Sequence, residues 1–90
     1  MAKNVTFEAN AWEDFEYWML QDPKTFKRIC LLLKDIRHNP FAGIGKPEPL
    51  KYQNGYWSRR IDKTNRLVYA VNEDTIAVIQ CRHHYGDKQS

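Results

Sequence analysis

The stretch Arg66-Leu-Val-Tyr-Ala-Val-Asn-Glu-Asp-Thr-Ile-Ala-Val-Ile-Gln-Cys-Arg-His-His-Tyr85 decides the fold. Two runs rich in Val, Ile, Tyr and Thr, which suit a pleated, half-buried surface, flank a polar turn from Asn72 to Thr75. The pattern predicts a β-hairpin, with Asn-Glu-Asp supplying the side chains that hydrogen-bond locally in turns. Its apolar part stops abruptly. From Gln80 the second run becomes Gln-Cys-Arg-His-His-Tyr, so a strand rooted in the core ends in a cation, two imidazoles and a phenol.

Working upstream, Asp62-Lys-Thr-Asn65 predicts a turn, and Trp57-Ser-Arg-Arg-Ile61 a strand before it. Asn54-Gly55, a strong hairpin signal, joins that strand to another around Leu50. The segment from Pro40 to Lys51 is a glycine- and proline-rich loop anchored by Phe41. Gly43 and Gly45 lack the spacing and the Gly-Lys-Ser/Thr of a phosphate-binding loop. Glu48 lies between Pro47 and Pro49. Both neighbours have fixed φ and offer no N–H, so this carboxylate sits on a stiff, edge-like segment that suits either a positioned catalytic group or a plain rigid turn.

The first half reads as one short strand and two helices. Val5-Thr-Phe-Glu-Ala9 predicts the strand, and Asn10 with Glu13 three residues on predicts a capping box at the start of a helix. Ala11, Trp12, Phe15, Trp18 and Met19 recur at helical spacing and predict a core-facing aromatic stripe. Asp22-Pro23 predicts an N-cap followed by proline at the first helical position. Phe26, Ile29, Cys30, Leu33 and Ile36 mark the buried face of a second helix, which Asn39-Pro40 ends because the residue before proline avoids the helical region. The short connector predicts an antiparallel helix pair. The fold class is therefore α+β: two N-terminal helices packed on one face of a small twisted antiparallel sheet, a single domain over residues 1–90 without internal repeats.

Ninety residues bury roughly two thirds of their unfolded surface, which leaves a modest core that a permanent partner would reinforce. Cys30 and Cys81 each fall in an apolar-periodic segment and read as reduced core residues, and two cysteines do not make a zinc site. No apolar run approaches the roughly 20 residues of a membrane span, and the first residues carry no signal-peptide core, so a cytoplasmic protein is expected. The formal net charge of +3 is unevenly spread. Glu8, Glu13, Asp14 and Glu16 cluster without a cation, whereas Lys46, Lys51, Arg59, Arg60, Lys63 and Arg66 outnumber Glu48 and Asp62 later on. A basic surface beside Tyr52, Tyr56 and Trp57 suits phosphate contacts and base stacking, although such patches are more often plain solvated faces.

The candidate chemical groups are Glu48, Lys51, Arg59, Arg60, Arg66, Arg82, His83, His84 and Tyr85. No Ser or Cys stands beside a base, and the histidines and carboxylates lack metal-ligand spacing. What remains is an acid–base pair and a phosphate clamp. Cleavage of RNA through its own 2′-hydroxyl needs little more: a base for the hydroxyl proton, fixed cations for the phosphorane, and an acid for the departing 5′-oxygen.

The run Asn39-Pro-Phe-Ala-Gly-Ile-Gly-Lys-Pro-Glu-Pro-Leu-Lys51, with Tyr56-Trp-Ser-Arg-Arg-Ile61, Arg66-Leu-Val-Tyr-Ala-Val71 and Cys81-Arg-His-His-Tyr85, resembles the YoeB/Txe toxins of the RelE/ParE superfamily over nearly the whole chain. The resemblance implies an mRNA interferase of a type II toxin–antitoxin pair. Such a toxin enters the ribosomal A site, cuts mRNA without metal or cofactor, and is silenced by a YefM/Axe-type antitoxin; a homodimer is an allowed assembly. It implies Glu48 as general base, Arg66 as phosphate and transition-state clamp, His84 as general acid and Tyr85 as the group that orients the scissile nucleotide. Lys51, Arg59 and Arg60 would hold RNA backbone, Arg60 in preference to Arg59. A second assignment makes Glu48 electrostatic and gives the proton shuttle to His84.

A two- or four-residue hairpin loop would put Arg66 on one face with Cys81 and His83. A three-residue loop or a β-bulge, which is the expectation, restores Arg66 to the face of Arg82 and His84. His83 then reads as a supporting histidine. The family pattern ends near the His-Tyr pair, and Gly86-Asp-Lys-Gln-Ser90 beyond it reads as a mobile polar tail. The rival readings are a ParE-like toxin acting on DNA gyrase, a non-catalytic binding module and a structural subunit.

Overall fold

A computed structural model of the chain describes residues 2–51 and 53–83. His84, Tyr85, Tyr52 and the 86–90 tail lie outside the described residues. In chain order the elements are β1 (Asn4–Phe7), α1 (Ala9–Gln21), α2 (Pro23–His38), β2 (Glu48–Pro49), β3 (Tyr56–Arg60), β4 (Arg66–Val71) and β5 (Thr75–Gln80). They form one sheet in the order β1-β5-β4-β3-β2 with the helix pair on one face. The α+β class and the helix hairpin are as expected. The sheet is antiparallel except at β1, which runs parallel to β5 because the two helices carry the chain across the sheet before the last strand returns beside the first.

The core joins Ile29, Leu32, Leu33 and Ile36 of α2 to Leu67 and Tyr69 of β4, Ile76 and Val78 of β5, and Trp18 of α1. Asp22 caps α2 as expected, its carboxylate accepting from the Thr25 N–H at 3.2 Å, with Pro23 in the first turn. The predicted cap on α1 is corrected: the helix begins at Ala9, so Asn10 is already inside it and Glu8, at the cap position, makes no side-chain capping bond. The aromatic stripe is corrected in part. Ala11 and Trp18 are buried, but Trp12 and Met19 stay about half exposed, and Asp14 takes a buried place on the same helix. The reading of Cys30 as a core residue is corrected, since it is exposed on α2; Cys81 is buried as expected, and both are free thiols.

The loop from Asn39 to Pro47 is fastened to the sheet by one side chain. Arg59 of β3 points to the helix side and is 0% exposed. Its Nη1 pairs with the Asp35 carboxylate and donates to Ile44 O at 3.0 Å; its Nη2 donates to Asn39 O and to Ala42 O. Its Nε donates to the Tyr69 hydroxyl at 3.1 Å, and that hydroxyl donates to Pro40 O at 2.7 Å. Gly43 lies against this cluster at φ +133°, where an added Cβ would come within 1.9 Å of Asp35 Oδ2. The sequence therefore requires glycine there for space as well as for backbone conformation.

The hydrogen bond from Arg59 holds the Asp35 carboxyl below its ordinary value, outweighing the opposing effect of desolvation. A carboxylate depressed on folding contributes stability that is complete above its unfolded pKa and is lost as pH falls through the folded one. Asp35→Asn is expected to cost roughly 2–3 kcal/mol at pH 7, below the full cost of breaking a buried pair because Arg59 keeps its carbonyl acceptors. Its stability should fall less steeply between pH 5 and pH 3 than that of the parent. Urea unfolding at both pH values measures the two effects, and equal acid slopes would refute the assignment.

Candidate functional site

The face of the sheet opposite the helices carries the site. Alternation along β3 sends Tyr56, Ser58 and Arg60 to this open face and Trp57 and Arg59 to the helices. Ser58 faces Glu48 of β2 on one side and Val68 of β4 on the other, and Val68 faces Gln80 of β5. Glu48, Ser58, Val68 and Gln80 thus form one rung across four strands, with Arg60 and Arg66 paired on the same face.

Arg66 lies across this rung. Its Nε donates to Ser58 Oγ at 3.1 Å and its Nη2 to Glu48 Oε1 at 3.0 Å, while Nη1 has no hydrogen-bond partner among the described residues. The Arg66 side chain is 15% exposed and that of Glu48 63%, so the cation is seated and the carboxylate faces solvent. Glu48, Pro49, Leu50, Lys51, Ser58, Arg66 and Val68 line an open groove of about 540 Å³. A guanidinium fixed on two sides with further N–H groups turned to a groove can take a phosphate oxygen in the geometry a planar fork favours. The neighbouring carboxylate can accept a proton.

The expected irregularity in the terminal hairpin is present. Val71, Ala70 and Tyr69 face Ile76, Ala77 and Val78, but Val68 faces Gln80, so Ile79 is the extra residue of a β-bulge. Gln80 thereby joins the open face, and Cys81 turns to the helices. There its N–H donates to Asp14 Oδ2 at 3.1 Å, and its carbonyl accepts from Trp18 Nε1 at 2.8 Å. The Arg82 guanidinium stacks 3.6 Å from the centre of the Tyr17 ring rather than joining Arg66. His84 and Tyr85 are outside the described residues.

Of the sequence-predicted site, the structure brings Glu48, Lys51 and Arg66 to one groove, with Arg60 on the same face of the sheet. Arg59 is a correction: a fully buried guanidinium saturated by Asp35, Tyr69 and loop carbonyls is not available to hold RNA backbone. Ser58 was missed as a candidate, although alternation from Arg60 would have put it on the site face. Asp14 and Asn65 were missed as well, and their contacts span many residues in sequence, so no local signal marked them.

A family model described as the YoeB-like toxin of the bacterial type II toxin–antitoxin system matches residues 7–85. A toxin YoeB of Streptomyces coelicolor is 51% identical over 82 residues, which is 90% of this chain and 98% of that one. A YoeB dimer from Staphylococcus aureus superposes with a TM-score of 0.88 at 45% identity, covering 94% of this chain and 100% of that one. A heterotetrameric YoeB–YefM complex from the same species matches with a TM-score of 0.83 at 45% identity and the same coverage. The fold and these likenesses define a toxin of a bacterial type II toxin–antitoxin system. The chain belongs to the YoeB-like toxin family.

Ser58 makes its contact only through its hydroxyl, so Ser58→Ala removes one hydrogen bond from Arg66 and little else. Such a loss is worth about 1 kcal/mol in stability. Growth arrest on induction should weaken by about tenfold in inducer dose, because the guanidinium loses one of its two tethers. Dose–response curves at matched expression, with melting temperatures alongside, check both expectations.

Proposed function

We propose that the chain is an endoribonuclease that cuts mRNA in the ribosomal A site and so inhibits translation. The observation that carries this reading is the Glu48–Arg66–Ser58 contact in an open, cation-lined groove. A phosphodiester entering the groove competes with Glu48 for Arg66. As the guanidinium turns to the phosphate, the carboxylate is released beside it to take the proton of the 2′-hydroxyl. The 2′-oxygen attacks phosphorus, Arg66 balances the charge on the phosphorane, and the bond to the 5′-oxygen breaks as His84 supplies its proton. The products are a 2′,3′-cyclic phosphate and a 5′-hydroxyl. Charge stabilisation comes from Arg66, so no step calls on a metal or cofactor. Tyr85 orients the scissile nucleotide, and Lys51 and Arg60 hold flanking phosphates. The alternative assignment, with Glu48 electrostatic and His84 moving both protons, uses the same residues.

A YefM/Axe-type antitoxin is the proposed silencing partner, supported by the YoeB–YefM complex of the Staphylococcus aureus relative. The dimer of that species supports a homodimer as a further assembly. No described helix is long and apolar enough to cross a membrane. Its target being the ribosome, the proposed place of action is the cytoplasm.

The test adds purified protein to translating ribosomes and to naked copies of the same mRNA and maps the new 5′ ends. Cuts confined to ribosomes, with rates lowered at least 100-fold by Glu48→Ala, Arg66→Ala and His84→Ala, are expected. Growth arrest by a protein that cuts neither sample would overturn the ribonuclease reading and favour a gyrase-directed or purely binding toxin.

A further inference from the structure

The residue that precedes the candidate acid is held by its main chain on both sides. His83 has φ +64°, in the left-handed region that costs a non-glycine residue on the order of 1 kcal/mol or more. Its N–H donates to Asn65 Oδ1 at 2.7 Å. Its carbonyl accepts from the Arg66 N–H at 3.1 Å and from Gln80 Nε2 at 3.3 Å, and the same Nε2 donates to Arg82 O at 2.9 Å. Among the described residues its imidazole makes no hydrogen bond.

The partners are themselves fixed. Asn65 Nδ2 donates to both carboxylate oxygens of Asp62, at 3.1 Å each, and Asp62 Oδ1 accepts from the N–H groups of Thr64 and Asn65 at 2.9 and 2.7 Å. Burial would raise the Asp62 pKa, but these donors more than offset it and hold the carboxyl below its usual value. The β3–β4 turn is thus a rigid bracket presenting one side-chain oxygen to the His83 amide. Gln80 is nearly buried and reaches the open face only because of the bulge at Ile79.

Arg66 is common to both halves of the site. Through its side chain it holds Glu48, and through its backbone N–H it holds the carbonyl one peptide bond before His84. We propose that His83 is a positioning residue that acts through its backbone: its left-handed conformation, locked by Asn65, Gln80 and the Arg66 N–H, sets the direction in which the chain leaves position 83 relative to the Arg66 guanidinium. The functional half of this statement rests on the ribonuclease reading above. A displacement near 1 Å of a catalytic group costs roughly 100-fold in rate, so the direction in which the chain leaves position 83 is a term in catalysis.

The experiment is a replacement series at residue 83 read by single-turnover cutting of mRNA on ribosomes and by hydrogen exchange of the residue-83 amide. Glycine and asparagine tolerate positive φ and valine does not, so activity should follow backbone tolerance rather than side-chain chemistry. His83→Gly and His83→Asn are expected to keep the rate within about 3-fold of the parent, while His83→Val loses about 30-fold or more. Asn65→Ala and Gln80→Met, which keep the imidazole, should each lose about 10-fold, and the His83 amide should be protected in the parent and lose that protection in Asn65→Ala. If His83→Val does not fold, the Asn65→Ala variant carries the rate comparison.

Parent-like rates in His83→Val and Asn65→Ala would overturn the proposal. So would glycine and asparagine variants as slow as valine, which would assign the role to the imidazole, or an unprotected His83 amide in the parent. If the parent itself cuts no RNA, the ribonuclease reading fails and, with it, the functional half of the proposal; the exchange data still decide whether the lock exists.

Discussion

The guanidinium of Arg59 is the constraint on which the rest of the site depends. A cation taken wholly out of water costs several kcal/mol unless it is paired and its donors are met, and here Asp35, the Tyr69 hydroxyl and the carbonyls of Asn39, Ala42 and Ile44 meet them. Those acceptors come from α2, β4 and the loop between α2 and β2, so one side chain fixes three parts of the chain in mutual register. The loop is otherwise poor in apolar anchors: Phe41 packs on Trp57 but stays largely exposed. Without the guanidinium its carbonyls would face solvent, and β2, two residues long, would lose the support that holds Glu48 opposite Ser58.

The other end of the site is held by the first helix. Asp14 and Trp18 bond the two sides of the Cys81 peptide, and the Tyr17 ring carries Arg82. The buried Asp14 and Trp18 and the exposed ring of Tyr17 on α1 therefore do more than cover the sheet. They fix Cys81 and Arg82, just after β5, to the helix layer. Helix packing, bulge and strand end form one mechanical connection, since the bulge at Ile79 is what turns Cys81 toward α1 and Gln80 toward the open face.

Sequence periodicity revealed the elements well because the strong signals were local. The Asp22-Pro23 start of α2, the terminal hairpin and the turn at Asp62 are all set by neighbours within a few residues. The resemblance to YoeB toxins, rather than periodicity, pointed to Glu48 and Arg66 as a pair. Errors arose where distant contacts decide the outcome. Arg59 and Arg60 look alike in sequence, and only the phase of β3 against Tyr69 and Asp35 makes one a buried fastener and the other a surface cation. Asn10 satisfied a capping pattern, but the Glu8 N–H donates to Val78 O as β1 passes into the helix, and α1 starts two residues earlier, at Ala9. Parallel pairing of β1 was illegible for the same reason: a four-residue strand carries no mark of its partner.

Two arginines on adjacent strands, Arg59 and Arg66, show how burial divides the labour of a single residue type. Arg59 is saturated and could be displaced only by breaking several charge-assisted hydrogen bonds at once, so it is structural in the strict sense. Arg66 is held by a neutral hydroxyl and by a carboxylate that is mostly in water. An exposed pair of that kind is worth only about 0–1 kcal/mol. It is therefore enough to orient the guanidinium and too weak to withhold it from a phosphate that brings full charge and bidentate geometry. The same exchange frees the carboxylate where a proton must be taken, so the weakness of the Glu48–Arg66 bond is what lets one contact serve both as a resting brace and as the first step of the proposed reaction.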